Sequence, residues 1–572
     1  MKHDSAVAIE KVPLADIRGR STNVSESTNL QPSIWACRRL PLLAFLSSVL
    51  IVLAVSRTPQ SLFSDPSWQL KALQQHLAGE APTFNTLVQA DPRDLSQDVR
   101  EWISWWPIGT NLLVYPLLRA GMTMGVAIRV LADLALILGS VGFGYWLRLF
   151  RLPAWLAMTL AITIPWIRYA NLSLFQYAAE GLVFAVCPWL LLGAFRLRSR
   201  WASQHRESHS FLAGYGLLLG FAYWMKYSAV FISAGVLVHL GITSWKQRGR
   251  SWRELGVVSG IFVFVVGVLN LLNHSKGAAM NAVTEHLSFV LDWRLPFNFV
   301  GLMAMAMADA DGLARYVLFH PGRSLLPFNY LTLCYLGLPG GLVLFWLLLR
   351  RHGNPALLLS RDVLVTISAV FLAVMTVFSA RAMEARYIAA IAIALIPAAL
   401  ECAFTVAPGF SRVSRGILLA AGICYLAIPI AYGGFSVAGK IARTPTAYRA
   451  GPSGVYNPLF ASMDAASAAA SLRADFDPAS DLWYLTEPFT AMDLPGRVIL
   501  RHADFLPTDK LIENFQTSKP VRVHLLLPPW FEQNGKGSII RGEFLGATNW
   551  SSRTLPGMNY IEWTATLPGN RN

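Results

Sequence analysis

The sequence predicts a mainly α, polytopic membrane protein of about 11 transmembrane helices, followed by a small C-terminal α/β domain outside the membrane. Three observations predict it. Apolar residues make up 54% of the 572-residue chain. Charged residues make up only 14%, against about 25% in a typical soluble domain. Long apolar runs alternate with short basic stretches, and the mean hydropathy is +0.43. No water-soluble fold hides that much apolar surface with so few charges. A cytosolic enzyme, a disordered chain and a disulfide scaffold are thereby excluded. The net charge of +15 would suggest nucleic acid in a soluble protein. In a membrane protein it is first tested against the tendency of Lys and Arg to stay in cytoplasmic loops.

Residues 1–39 read as a polar cytoplasmic tail, ending at Arg38 and Arg39. The apolar run 40–56 lies too deep for the core of a cleavable signal peptide and reads as the first membrane helix. Further spans are expected near 126–147, 152–167, 177–194, 211–224, 228–243, 255–273, 331–349, 362–379, 388–405 and 416–434. Several fall short of the ~20 residues an upright helix needs, and the pair within 211–243 also reads as one broken element. With the N-terminus inside, five short inner loops hold fifteen basic residues: Arg148, Arg151, Arg196, Arg198, Arg200, Arg206, Lys246, Arg248, Arg250, Arg253, Arg350, Arg351, Arg361, Arg412 and Arg415. The short outer loops hold four, Arg168, Lys226, Arg381 and Arg386. This asymmetry sets the expected orientation and accounts for most of the net charge without a nucleic-acid partner. The five cysteines, Cys37, Cys187, Cys334, Cys402 and Cys424, lie in or beside apolar segments. They read as small buried hydrophobes, and their odd number argues against a disulfide framework.

The membrane domain is therefore expected over 40–434, with long outer loops at 57–125 and 274–330. Residues 435–572 are long enough for an extracytoplasmic domain. There a small-residue helical stretch (Pro458–Asp475) precedes strand-like runs at Leu482–Leu485 and Arg497–Leu500, a polar helix candidate (Pro507–Thr517) and a further run, Val521–Leu527. That alternation predicts a small α/β domain with strand-rich final residues.

Transporters carry ionisable groups or broken helices at mid-membrane, and these are sparse here. Arg129 and Asp133, at i,i+4, read either as a self-neutralising pair or as support for a site at the outer helix end. The informative residues sit at the outer rim. Asp65 follows the first span; Pro66 suits a helix start, and Asp65 also reads as its N-cap. Trp68 suits the interface belt, and Leu70, Leu73 and Leu77 would lay the helix along the membrane surface. Asp91 and Asp94 bracket what reads more simply as a turn, and the Trp102, Trp105 and Trp106 cluster as an interface anchor. Arg168 lies in a short outer loop. Glu180 opens a span, where an acid is costly unless it faces a wet cavity. Lys226 ends the run Gly216–Lys226 and also reads as a snorkelling lysine. Arg386 and Tyr387 close a tight outer turn before a span containing Pro397.

Together these pieces resemble the C-type (GT-C) glycosyltransferase superfamily of membrane enzymes that use lipid-linked sugars, in particular its ArnT/protein-mannosyltransferase-like group. The resemblance covers about 40–434. It rests on the acid after the first helix (Asp65), the Pro-bearing aromatic stretch from Trp105 to Leu118, Arg129, Glu180, the Gly-x-x-x-Gly-x-Ala-x-x-x-Lys-like run ending at Lys226, and the Arg386-Tyr387 pair. Many members carry Asp-Glu after the first helix; here Pro66 stands second, leaving Asp65 as the single local carboxylate.

The resemblance implies a GT-C fold and transfer of a sugar from a polyprenyl-phosphate donor to an acceptor hydroxyl. Asp65 is the expected catalytic base. Lys226, Arg386, Tyr387 and Arg168 are expected at the donor phosphate, and Glu180, Trp68, Asp91 and Asp94 at the substrates, with Glu180 binding sugar hydroxyls or orienting Arg168. No cofactor is obligatory; a divalent metal is allowed by Asp91 and Asp94, but no Asp-x-Asp or His-rich spacing demands one. Membrane lipid and the lipid-linked donor are expected partners, with a glycan, lipid or protein as acceptor and no nucleic acid. Lack of disulfides in an outward domain fits a bacterial inner membrane. Two other classes meet part of the pattern: an O-antigen-type polymerase or ligase, and a lipid or sugar transporter or flippase.

Overall fold

The computed structural model describes residues 34–569 except 63, 105, 248–250, 277–291, 311–329, 351–352, 378–383, 407–410, 444–448, 457–464, 487, 502–513 and 555–559. The polar tail 1–33, Trp105, Arg381 and most of the helix candidate Pro507–Thr517 lie outside the described residues. So do the side chains of Cys37 and Asp65.

A helix stands at each of the eleven stretches expected to cross the membrane. In chain order these begin with α1 (Ile34–Val55); then, after two shorter helices, α2 (Ser64–Leu77) and α3 (Gly109–Arg119), come α4 (Met124–Leu147) and α5 (Ala154–Thr163). The short α6 (Arg168–Phe175) leads to α7 (Glu180–Ala202), α8 (His209–Met225), α9 (Val230–Lys246) and α10 (Trp252–Ser275). Helices Tyr330–Leu349, Pro355–Val377, Ala389–Val406 and Arg412–Arg443 complete the set. Among the described residues, six are long and apolar enough to cross a membrane by themselves: Met124–Leu147, Glu180–Ala202, Tyr227–Lys246, Trp252–Ser275, Thr332–Leu349 and Pro355–Val377. On α10, Phe264 and Leu271 are each 70% exposed, as a lipid-facing side requires. The buried thiols of Cys187, Cys334 and Cys402 lie in the helical bundle.

Two features depart from the expectation. Residues 211–243 form two helices, α8 and α9, separated at Lys226, whose backbone is extended (φ −155°, ψ 131°). The stretch expected as an outer loop, 274–330, contains an apolar helix, Leu295–Met307, whose residues are largely buried in the bundle. It packs backbone to backbone on Tyr330–Leu349: a Cβ on Gly301 would lie 1.8 Å from the Cys334 carbonyl oxygen. Such close approach is how helices associate in lipid, where no hydrophobic force drives them together.

The C-terminal domain is a mixed sheet in the order β7-β6-β8-β10-β9. Its strands are β6 (Asp481–Leu485), β7 (Val498–Leu500), β8 (Val521–Leu527), β9 (Thr548–Thr554) and β10 (Ile561–Leu567). β6 runs parallel to β7 and β8, and β10 pairs antiparallel with β8 and β9. The helix Ala465–Ala474 packs on it through Ala468 and Leu472.

Between domain and bundle lies an adapter made of α2 and the hairpin β2 (Thr86–Asp91)–β3 (Asp94–Trp102). Lys71 donates to the Ala491 and Leu494 carbonyls at 2.8 and 3.1 Å. Arg497 pairs with Asp98 at 2.8 Å. α2 is therefore covered on both faces. Leu70 and Leu73 join the bundle core, while Trp68 and Ala72 join the cluster beneath the C-terminal sheet. The expectation of a surface-lying helix is corrected to this extent: a second protein layer covers the face that would otherwise be wet.

Finally, three short segments form a sheet in the order β4-β1-β5: β1 (Gln60–Leu62), β4 (Gln176–Tyr177) and β5 (Val455–Tyr456). All pairs are parallel. This sheet joins the end of α1, the approach to α7 and the link to the C-terminal domain.

Candidate functional site

The strands β1 and β4 fix where two helices begin. β1 ends two residues before α2, and β4 ends three residues before Glu180, the first residue of α7. Arg129 braces this corner. Its guanidinium donates to the Val55 carbonyl at the end of α1 (2.6 Å) and to the Thr58 carbonyl (3.1 Å), and pairs with Asp133 at 3.0 Å. Arg129 thus does more than neutralise Asp133: it caps the helix that leads into the site.

At the same end of the bundle, the break between α8 and α9 delivers Lys226. Its Nζ donates to Glu180 Oε1 at 2.8 Å, and both residues are buried (3% and 6% exposed). The ammonium lies 4.5 Å from the Trp106 ring centroid and 5.3 Å from that of Tyr387, within cation–π range. The 3₁₀ turn Ala385–Tyr387 brings in Arg386. Its Nε lies 3.7 Å from the same Glu180 oxygen, it pairs closely with Glu384, and its Nη2 donates to Tyr387 Oη at 3.5 Å. One buried carboxylate therefore holds two cations side by side. A charge taken from water is tolerable only with such partners.

Glu180 and Arg386 form a wall between two small cavities. The first has Pro66, Gln69, Trp106, Thr110, Met225 and Lys226 in its lining. The second runs toward the bundle past Tyr169, Val183, Phe184, Tyr387, Ala389 and Ala390. Each has about 10 Å³ of free volume, room for about one water.

The aromatic wall is locked from behind. Gln69 of α2 donates to the Trp106 and Pro107 carbonyls at 2.9 and 3.0 Å. Asn111 donates to the Gln69 carbonyl at 3.0 Å. Gly109 lets α3 touch the end of α8: a Cβ there would lie 2.3 Å from the Trp224 carbonyl oxygen.

The structure thus brings together Glu180, Lys226, Arg386 and Tyr387. Asp65 lies in the first turn of α2, next to the cavity-lining Pro66; it does not precede the helix as an N-cap would. Arg168 stands apart. Its Nε pairs with buried Asp309 at 2.9 Å and its backbone N–H donates to the other oxygen at 3.1 Å, so Asp309 takes the orienting role considered for Glu180. The guanidinium lies 4.4 Å from the centroid of the Tyr169 ring, which lines the second cavity.

Trp68 is buried beneath the C-terminal domain, so it is no interface anchor. Trp106 is likewise drawn into the site. Asp91 and Asp94 bracket the hairpin turn and are absent from the lining of either cavity. Asp94 accepts from the Ser518 N–H (2.9 Å) and hydroxyl (2.7 Å). Desolvation works against its charge, but these bonds and those from Ser96 outweigh it and hold the carboxyl below its ordinary range. Its observed contact is a clasp between hairpin and domain. Asp309, Gln69 and Asn111 were missed; each acts through a partner far away in sequence, and only Asn111, a polar residue in an apolar helix, left any trace.

No family model matches the chain, and no curated protein matches it by sequence. Among solved structures it is similar to ArnT from Cupriavidus metallidurans bound to undecaprenyl phosphate, with TM-score 0.50 and 9% identity over 92% of this chain and 97% of that one. The apo state of the same protein gives TM-score 0.48 and 11% identity over the same shares. The likeness to the first is one of fold, along nearly the whole of both chains.

Proposed function

We propose that this protein transfers a sugar from a polyprenyl-phosphate donor to an acceptor hydroxyl, at the extracytoplasmic face of a bacterial inner membrane. The observation that carries the reading is the buried Lys226–Glu180–Arg386 group, whose carboxylate and guanidinium residues border both cavities. Two cations held side by side by one carboxylate suit the phosphate of a lipid-linked sugar. The fold's occurrence in a protein crystallised with undecaprenyl phosphate supports the same donor class.

In the proposed reaction the acceptor hydroxyl attacks the anomeric carbon from the face opposite the phosphate, with inversion. Asp65 takes the hydroxyl proton, a role typically contributing about 10²–10⁴-fold. The bond from the anomeric carbon to the phosphate oxygen breaks, and the phosphate keeps the electron pair. Phosphate is a good leaving group, so cations replace the general acid that a glycosidase needs. Lys226 and Arg386 meet the developing charge, and the Tyr387 hydroxyl donates to a phosphate oxygen. Glu180 sets the spacing of the two cations. Arg168, held by Asp309 behind Tyr169, adds positive potential beside the second cavity. The phosphate charge is met by side chains, and no step calls on a metal.

The test is release of polyprenyl phosphate from a panel of radiolabelled polyprenyl-phosphate sugars by purified protein, beside Asp65→Asn. Release by wild type and about 10²-fold less by the variant is the expected result. Equal release by both removes Asp65 from the reaction. Absence of both binding and release for every donor overturns the proposal.

A further inference from the structure

A larger cavity, of about 220 Å³, lies between α2 and the C-terminal domain. It takes in neither Glu180, Lys226 nor Arg386. Its charged lining residues carry both signs. Lys71 and Arg473 share it with Glu80 and Asp493, and with Gln74 and Gln75. The cations are already engaged by neutral groups: Lys71 by the Ala491 and Leu494 carbonyls and Gln74, and Arg473 by the Asp493 carbonyl at 3.1 and 2.8 Å. Burial pushes the Lys71 amine down to about 8. Glu80 and Asp493 oppose an anion, and the two cations oppose a cation. Met492, Leu494 and Pro495 add aliphatic side chains.

Balanced charge, donors and acceptors together, and aliphatic side chains beside them suit a ligand whose every group both donates and accepts, which is the chemistry of hydroxyls. An apolar cavity of about 150 Å³ holds benzene; the volume here admits one pyranose ring. At ~1.5 Å per residue, Lys71 and Gln75 lie about 9 and 15 Å along α2 from Asp65, the reach of a short oligosaccharide.

We propose that this cavity is an acceptor subsite that binds an uncharged sugar unit of a saccharide chain, whose far end presents the reacting hydroxyl near Asp65. The proposal rests on the glycosyl-transfer reading and names its acceptor class, a glycan.

Saturation-transfer NMR on the full chain, in a detergent without a sugar headgroup, tests it. The probes are neutral trisaccharides of glucose, mannose and N-acetylglucosamine, with inorganic phosphate as competitor. Two rim variants, Ala78→Trp and Pro495→Trp, place an indole at the mouth from opposite sides, and thermal midpoints check that each folds. At least one trisaccharide is expected to bind to wild type and about tenfold more weakly to both variants, undisturbed by phosphate. Absence of signal from every trisaccharide, signal surviving in both folded variants, or displacement by phosphate each overturns the subsite. Donor release is measured separately on wild type. Its failure with trisaccharide binding intact would sink the transfer reading while leaving a sugar site, and binding failure with donor release intact would sink the subsite alone.

Discussion

The two ends of α7 carry buried charge in two different ways. At its start, Glu180 holds Lys226 and Arg386 against two cavities and two aromatic rings. About 27 Å away by helix rise, near its other end, Arg198 belongs to a group built on His239 and Asp362. His239 Nδ1 lies 2.8 Å from Asp362, Arg361 pairs with the other oxygen at 2.8 Å, and Arg198 lies 3.4 Å from His239 Nε2. There the charged groups close on one another. The difference teaches that burial of charge by itself marks only a structural need. A site is marked when the paired charges also border space and carry a cation whose remaining surface is lined by rings.

The sharpest way to break this comparison is to remove a cation at the first end. Lys226→Met is expected to lower turnover by about 10²–10³-fold and to destabilise the fold by about 3–5 kcal/mol, because Glu180 loses its closest partner. The double variant Glu180→Gln/Lys226→Met removes the charge as well as its partner. It should regain most of the thermal midpoint with none of the turnover. Recovered turnover would make the pair purely structural.

At the other end, Asp362→Asn is expected to cost stability on a similar scale while turnover per folded molecule stays at the wild-type level. A selective fall in turnover would erase the contrast drawn between the ends. Gly109→Ala probes the site without touching charge. Its new Cβ meets backbone at Trp224, so a loss of about 1–3 kcal/mol and a raised KM for donor are expected from shifting Lys226, two residues on.

Glu543 in the C-terminal domain sharpens the comparison from a third side. This buried acid (3% exposed) has a side-chain oxygen with no hydrogen bond. Burial pushes its carboxyl up to about 8 from 4.5, against the pull of Arg501. The folded state then binds a proton that the unfolded chain has lost. The stability it contributes is complete below about 4.5 and lost as pH rises through 8. Glu543→Gln should flatten the fall of the domain's thermal midpoint over that window and raise it at pH 9; an unchanged profile would deny the burial effect. The smallest change is expected from Asp94→Ala, within about 1 kcal/mol for a part-exposed contact. Faster hydrogen exchange at the hairpin turn would report it, with donor turnover unaffected.

Much of this was legible in the sequence because each signal was local. Long apolar runs located the helices, and short strand-like apolar runs located β6, β7 and β8. Residues costly in a membrane (Glu180, Lys226, Arg386) could be singled out one by one, since lipid tolerates so few. What was not legible depends on partners far apart in the chain. Leu295–Met307 is too short to register as a span, yet glycine contacts with Tyr330–Leu349 bury it. Arg168 was expected at the donor phosphate with Glu180 as a candidate to orient it; its partner is Asp309, 141 residues away. Asp94 looked like a substrate contact; its partner is Ser518, in another domain. Trp68 and Trp106 looked alike as interface anchors, and only the tertiary fold sends one beneath the C-terminal sheet and the other over Lys226.

The β4-β1-β5 sheet bears on how divisible this protein is. Its third strand, Val455–Tyr456, comes after the last helix of the bundle, while its other two lead into α2 and α7. A gene cut after the bundle would discard an edge of the sheet from which both helices start. The protein is thus not a self-sufficient membrane body with an exchangeable appendage. Domain swaps between such chains should be joined beyond Tyr456, so that the bundle keeps its own third strand.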